Sequence, residues 1–182
     1  MIRYLILTAW AVIFSTSGHA LSLDEYAAEP TGYVLFIRHA LAPGTGDPAN
    51  FDVNDCKTQR NLSPAGRAQA RQIGERLRKA NLKITAILTS QWCRCADTAE
   101  EMRLGPVTAE PGLNSFYQDI VPKQETLAQL RKKLAEIDAQ NGVTVMVTHF
   151  VTISAITAIG VSSGGMVSYN PQTRDANVIG VE

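Results

Sequence analysis

The sequence predicts an α/β fold, a three-layer sandwich with a mostly parallel central sheet. Two patterns carry that reading. Short apolar runs rich in strand formers recur along the chain, and amphipathic stretches of helical period lie between them. Hydrophobic residues make up 45% of the 182 positions, enough to bury a core.

Taken in order, Met1 to Ala20 has a basic residue at Arg3, an apolar run from Tyr4 to Phe14 and a small-residue ending Gly18-His19-Ala20. This is the pattern of a cleaved secretory signal, so residues 21–182 are expected as a single domain after cleavage near Ala20. The apolar run is about half the ~20 residues of a spanning helix, so no stable membrane anchor is expected. Gly32 to His39 reads as a buried strand. Leu41 to Gln59, rich in Gly, Pro, Asn and Asp, reads as a long loop. Ser63 and Pro64 supply an N-cap and a first-turn proline for a helix from about Pro64 to Ala80, with Ala70, Ile73 and Leu77 on one face.

Ile84 to Thr89 is the second strand, followed by a helix from about Cys93 to Arg103. Gly105 to Pro122, interrupted by Gly and Pro, reads as irregular. Leu127, Leu130, Leu134 and Ile137 mark a helix that stops at Asn141-Gly142. Val143 to Thr148 is the third buried strand. A helix over about Val151 to Ile159 and an edge strand over Ala176 to Val181 complete the series.

Charge and cysteine content narrow the function. With 17 Lys+Arg against 17 Asp+Glu the formal net charge is +0, which gives no long-range field for nucleic acid. Cys56, Cys93 and Cys95 follow the leader, in a compartment where disulfides persist, and an odd number leaves one thiol over. Two cysteines in C-x-C spacing without a nearby His make a poor zinc site, so no metal is expected. A bridge from Cys56 to Cys93 or Cys95 fits better.

In an open α/β sheet, ligands bind beyond the carboxyl ends of the strands. The first predicted strand ends in Arg38-His39, the second in Thr89-Ser90 with Arg94 shortly after, and the third in Thr148-His149. Two histidines and two arginines therefore converge on one edge. Guanidinium groups gathered in one crevice repel unless an anion lies between them, and their planar forks suit phosphate oxygens. The start of the helix at Cys93 would add backbone N–H groups to the same place.

Arg38-His39 after a strand, Leu62-Ser63-Pro64-x-Gly66-x-x-Gln69-Ala70, Ser90-x-x-x-Arg94 followed by Thr98-Ala99-Glu100, and Val147-Thr148-His149 together resemble the histidine phosphatase (phosphoglycerate mutase-like) superfamily. Order and spacing agree over about residues 32–160. The resemblance implies that His39 is the nucleophile of a phosphohistidine intermediate. Arg38, Arg94 and His149 would form the phosphate pocket, with Arg60 also near the site. It implies a small phosphorylated substrate, inorganic phosphate as product, and no metal or other cofactor. A mutase is less expected, because the short chain shows no large substrate-capping insertion.

The chain departs from the family pattern at three places. Ala40 follows the first His and Phe150 the second, where the family often has Gly, so a positive φ at either would be strained. Leu113-Asn114-Ser115 stands where many relatives have Leu-x-Glu. Asp119 is then the expected general acid, with Glu110 upstream as the other carboxylate; a site lacking an acid would favour good leaving groups, including phosphoanhydrides or protein phosphohistidine. The departures also leave open a non-catalytic phosphate- or phosphosugar-binding protein on the same fold. Finally, small exported relatives carry a cysteine at the positions of Cys56 and Cys93. The resemblance therefore implies that pair as the disulfide, with Cys95 free, in a periplasmic or secreted protein.

Overall fold

The computed structural model describes residues 20–30, 33–137 and 142–180. The leader read over residues 1–20 lies outside them except for Ala20. The elements run β1 (Leu21–Ser22), α1 (Leu23–Ala28), β2 (Val34–Arg38), α2 (Pro64–Lys79), β3 (Ile84–Thr89), α3 (Cys93–Met102), β4 (Val107–Ala109), α4 (Lys123–Ala135), β5 (Val143–Thr148), α5 (Phe150–Thr157), β6 (Met166–Tyr169) and β7 (Ala176–Gly180). They build one seven-stranded sheet in the order β1-β7-β6-β2-β5-β3-β4. The pairs β2–β5, β5–β3 and β3–β4 are parallel, and β6 is antiparallel to both β2 and β7. The fold is therefore the α/β sandwich with a mostly parallel sheet.

Alternation along β2 shows the three layers. Leu35 and Ile37 pack with Ile73, Leu77, Trp92 and Met102 from the α2 and α3 side, whereas Val34 and Phe36 pack with Leu130, Leu134 and Ile153 from α4 and α5. A strand covered on both faces buries every position, which is why β2 reads as a continuous apolar run up to Arg38 and β5 as one interrupted only by the buried Thr144 before it ends in Thr148. Glycine sets the closest approaches of α2. A Cβ on Gly66 would lie 2.1 Å from the Leu41 carbonyl oxygen, and one on Gly74 would lie 2.0 Å from that of Met102. The helix begins where expected, with Ser63 Oγ accepting from the Gly66 N–H and Pro64 in the first turn.

Several expectations need correction. The segment Gly105 to Pro122 is not wholly irregular: it contains β4 and two 3-10 turns, Pro111–Leu113 and Tyr117–Asp119. The helix expected to stop at Asn141-Gly142 ends at Ala135, although Ile137 still packs on the core; residues 138–141 lie outside the described set. The strand β7 is not the outer edge, because β1 pairs beyond it. The start of α1, a Ser22–Glu25 capping box, and the strand β6 were not anticipated.

Candidate active site

The three strand ends are level. Arg38 is in register with Thr148, Thr89 is in register with Val147, and backbone bonds from His39 N to Thr148 O and Ser90 N to Val147 O continue the ladder one step further. Parallel pairing points all three carboxyl ends the same way, so the residues that follow them share one edge. A cavity of about 290 Å³ opens there, lined by Arg38, His39, Arg60, Arg94 and His149 together with Gly44, Thr45, Gly46, Ser115, Tyr117, Phe150 and Val151. Among the described residues its wall carries three arginines and no Asp or Glu.

The His39 ring is buried, and its Nδ1 lies 2.8 Å from the Ala40 carbonyl oxygen. A carbonyl can only accept, so Nδ1 carries the proton and Nε2 keeps its lone pair. Burial holds the His39 pKa down at about 3. The Ala40 hydrogen bond opposes this, and the charges of Arg94, Arg60 and Arg38 add to it. His39 is therefore a neutral imidazole with one unprotonated nitrogen. Ala40 is tied back to α3 by its N–H, which donates to Thr98 Oγ1 at 3.0 Å. Neither Ala40 nor Phe150 is among the residues with positive φ, so neither position carries backbone strain.

His149 sits edge-on to His39, with ring centroids 5.6 Å apart. Arg94 Nη2 lies 3.4 Å from His149 Nδ1, and Ser90 Oγ lies 2.9 Å from Nε2. Since a guanidinium only donates, Nδ1 accepts and Nε2 carries the proton. The chain continues as Ser90 Oγ donates to Asn114 Oδ1 at 3.1 Å. Burial first, then Arg94, holds the His149 pKa well below the ordinary range. The free thiol of Cys95 lies beneath this pair, 3.4 Å from Nε2, and burial pushes its pKa up to about 12, so it is not a thiolate.

Arg94 is held by a residue that the motifs did not reveal. Asp47 makes a two-pronged ion pair with it, Oδ1 to Nη1 at 2.7 Å and Oδ2 to Nη2 at 3.1 Å, and both side chains are only 3% exposed. Asp47 also accepts from the Trp92 indole N–H and the Arg60 backbone N–H. Burial alone would raise its pKa, but these donors, Arg94 foremost, hold it below the usual carboxylate value. The Gly-Asp-Pro turn gave no period or spacing that pointed to Arg94. Arg60 donates to the carbonyls of Gly46 and Ala42, and Arg38 donates to that of Val161 at 2.9 Å. Arg38 Nε and Arg94 Nε are buried donors with no hydrogen-bond partner. Such donors on the wall of a cationic cavity suit an oxyanion.

The predicted carboxylates are placed elsewhere. Asp119 is exposed, with φ 55, and does not line the cavity; Glu110 accepts from the Gly112 N–H at the head of a 3-10 turn. The expected backbone donors at the start of α3 are also partly spoken for, since Cys93 N donates to Gln59 Oε1 at 2.9 Å. Cys56 and Cys93 form a disulfide with Cα atoms 5.7 Å apart, and Cys95 is free. Among the described residues no group of three or more His, Cys, Asp or Glu is placed to hold a metal, and no helix is long and apolar enough to cross a membrane.

Residues 34–117 match the model of the histidine phosphatase superfamily (branch 1), a segment that includes Arg38, His39, Arg60 and Arg94 but ends before His149. No curated protein matches in sequence. Among solved structures, the protein histidine phosphatase SixA complexed with tungstate is similar at a TM-score of 0.54 and 18% identity, over 80% of this chain and 92% of that one. A Mycobacterium tuberculosis open reading frame product aligns at a TM-score of 0.57 and 16% identity, over 81% and 96%. A protein from Thermus thermophilus aligns at 0.57 and 16%, over 81% and 99%. At these identities the likeness is one of fold, and the fold is the phosphoglycerate mutase-like one.

Proposed function

We propose that this chain is a phosphatase that hydrolyses a phosphomonoester or phosphoanhydride through a phosphohistidine intermediate on His39. The observation that carries the reading is the Nδ1 bond to Ala40, which leaves Nε2 as the attacking nitrogen in a cavity walled by arginines. His39 Nε2 attacks phosphorus and the bond to the leaving group breaks, its electron pair departing with that group. Arg38, Arg60 and Arg94 balance the charge on the equatorial oxygens. Water then attacks the phosphohistidine, the P–N bond breaks, its pair returns to Nε2, and inorganic phosphate leaves. In this geometry His149 acts on the anion through Arg94, which it accepts from. The leaving group departs without a carboxylic acid from the cavity wall, so leaving groups stable as anions are preferred over alkoxides.

The tungstate of the SixA complex, an oxyanion of phosphate shape, supports the reading by analogy of fold. Export to the periplasm or beyond is part of the same proposal, supported by the leader pattern and by a disulfide that persists in oxidising compartments. One observation favours a second reading: with no carboxylate in the wall, the chain could bind phosphate or a phosphosugar without turnover. Assay of the mature chain on p-nitrophenyl phosphate and acetyl phosphate separates the two. The phosphatase reading expects phosphate release that vanadate inhibits and His39→Ala abolishes, with acid-labile phosphate trapped on the wild type. Phosphate binding without release from either compound would overturn it in favour of the binding protein.

A further inference from the structure

The cavity wall also carries two aromatic side chains that the chemistry above does not use, Tyr117 and Phe150. They are exposed by 48% and 45%, among the most exposed large hydrophobic side chains of the described residues. Both are held in place. The Phe150 ring lies over the Arg38 guanidinium, with Cζ 5.5 Å from the ring centroid. Its far edge rests against Gly160, where a Cβ would fall 2.7 Å from a ring carbon.

Tyr117 heads a 3-10 turn in which Gln118 and Asp119 both have positive φ, 67° and 55°. Two left-handed non-glycine residues in succession are unfavourable and need support from their surroundings. Here the support is a latch: Gln118 Oε1 accepts from the Asp47 N–H at 2.7 Å, packed against Gly46, where a Cβ would lie 2.6 Å from that oxygen. The turn that presents Tyr117 is thus fastened to the loop that carries Asp47.

From these observations we infer that Tyr117 and Phe150 form a recognition rim for a single aromatic ring bonded directly to the phosphoryl group. The inference rests on the phosphatase reading for its chemistry and narrows it to a substrate class. Two independent features converge on that class. Exposed aromatic faces beside the anion pocket attract a planar apolar group by offset or edge-to-face packing. The wall without a carboxylate requires a leaving group that tolerates its charge, which an aromatic oxygen does better than an alkoxide. A cavity of about 290 Å³ is at the small end for ligand sites, room for a phosphoryl group and one ring rather than a larger chain of groups. As His39 Nε2 bonds to phosphorus, the P–O bond to the ring breaks and its pair leaves as the aryloxide, which solvent protonates.

The test is made on binding, so that it does not depend on turnover. Dissociation constants of phenylphosphonate and methylphosphonate are measured on the wild type, Tyr117→Ala, Phe150→Ala, and the conservative Tyr117→Phe and Phe150→Tyr. The readout is the ratio of the two constants, because a change in folding or in arginine geometry moves both ligands together. The wild type is expected to prefer the phenyl compound by roughly five- to tenfold, each alanine variant to lose most of that preference, and the conservative variants to keep it. A wild-type ratio near one, or alanine variants that retain the wild-type ratio, would overturn the rim. If Phe150→Ala does not fold, Tyr117→Ala, on an exposed turn, decides alone. Free phosphotyrosine against the same residue in a peptide then separates a small-molecule ring from a protein side chain. Failure of the phosphatase reading shows separately, as absent phosphate release with the ring preference intact.

Discussion

At the scale of single residues the site is organised around one buried ion pair. Arg94 uses both terminal nitrogens on Asp47, and that pairing fixes the guanidinium plane beside His39 and His149. Removing one partner of a buried pair leaves the other charge uncompensated, which costs about 3–5 kcal/mol. Asp47→Asn keeps the shape but only one of the two acceptor oxygens, so it removes the charge and also turns an amide NH2 toward an Arg94 N–H. We expect a destabilisation of about 3 kcal/mol, with saturating phosphate raising the melting temperature of the variant more than that of the wild type, because an anion replaces part of the missing charge. Melting curves with and without phosphate check this. Equal phosphate shifts in the two proteins would show that Asp47 is not the electrostatic partner of the anion site. Sequence inspection did not reach Asp47, since a loop residue meets its partner through the fold and carries no periodic signal of its own. The strand-end histidines and arginines were legible because a geometric rule for parallel sheets selects them.

At the scale of elements, the loop from Leu41 to Gln59 holds Asp47 and Cys56 and leads into Arg60, yet it contains only one 3-10 turn, Cys56–Thr58. Besides the Asp47–Arg94 pair and the Gln118 latch, what fixes it is the bond from Cys56 to Cys93, which ties it to the first turn of α3 next to Arg94. The bonded residues are 37 apart in sequence, and closing such a loop is worth about 4 kcal/mol on the chain-entropy model. Cys56→Ala combined with Cys93→Ala should lose up to ~4 kcal/mol and bind vanadate more weakly, because the loop carrying the Arg94 partner is no longer fastened. Urea titrations with and without reductant provide the check: reductant should lower the midpoint of the wild type and leave the double variant unmoved. A wild-type midpoint indifferent to demonstrated reduction would rule the tether out. The strands β3 and β5 were readable to the residue as runs of strand-forming residues, although only β5 is buried at every position. The short strands β1, β4 and β6 were not, because two to four residues give too little pattern, and β6 belongs to the sheet only through its partners β2 and β7.

At the scale of the whole molecule, a net charge of +0 coexists with a cavity wall that carries, among the described residues, three arginines and no carboxylate. Burial of the site, with that local field adding to it, keeps His39 neutral above about pH 3, so the unprotonated Nε2 that the proposed mechanism needs is present throughout the physiological range. The same depression makes the fold sensitive to acid. In the unfolded chain His39 takes up a proton near pH ~6.5, and in the folded chain only near 3. Between those values the unfolded state binds more protons, so stability falls as pH falls. His149, displaced in the same direction, adds to the slope. Asp47 extends the loss at lower pH, where its carboxylate is protonated first in the unfolded chain. Each histidine that stays neutral in the fold should remove about 2 kcal/mol between pH ~7.5 and ~5. Urea unfolding across that range should therefore show a marked decline for the wild type and about half of it for His39→Asn, which cannot titrate. An unchanged decline in His39→Asn would mean that the acid sensitivity arises outside the anion site, and the link between the neutral His39 ring and the stability of the fold would be lost.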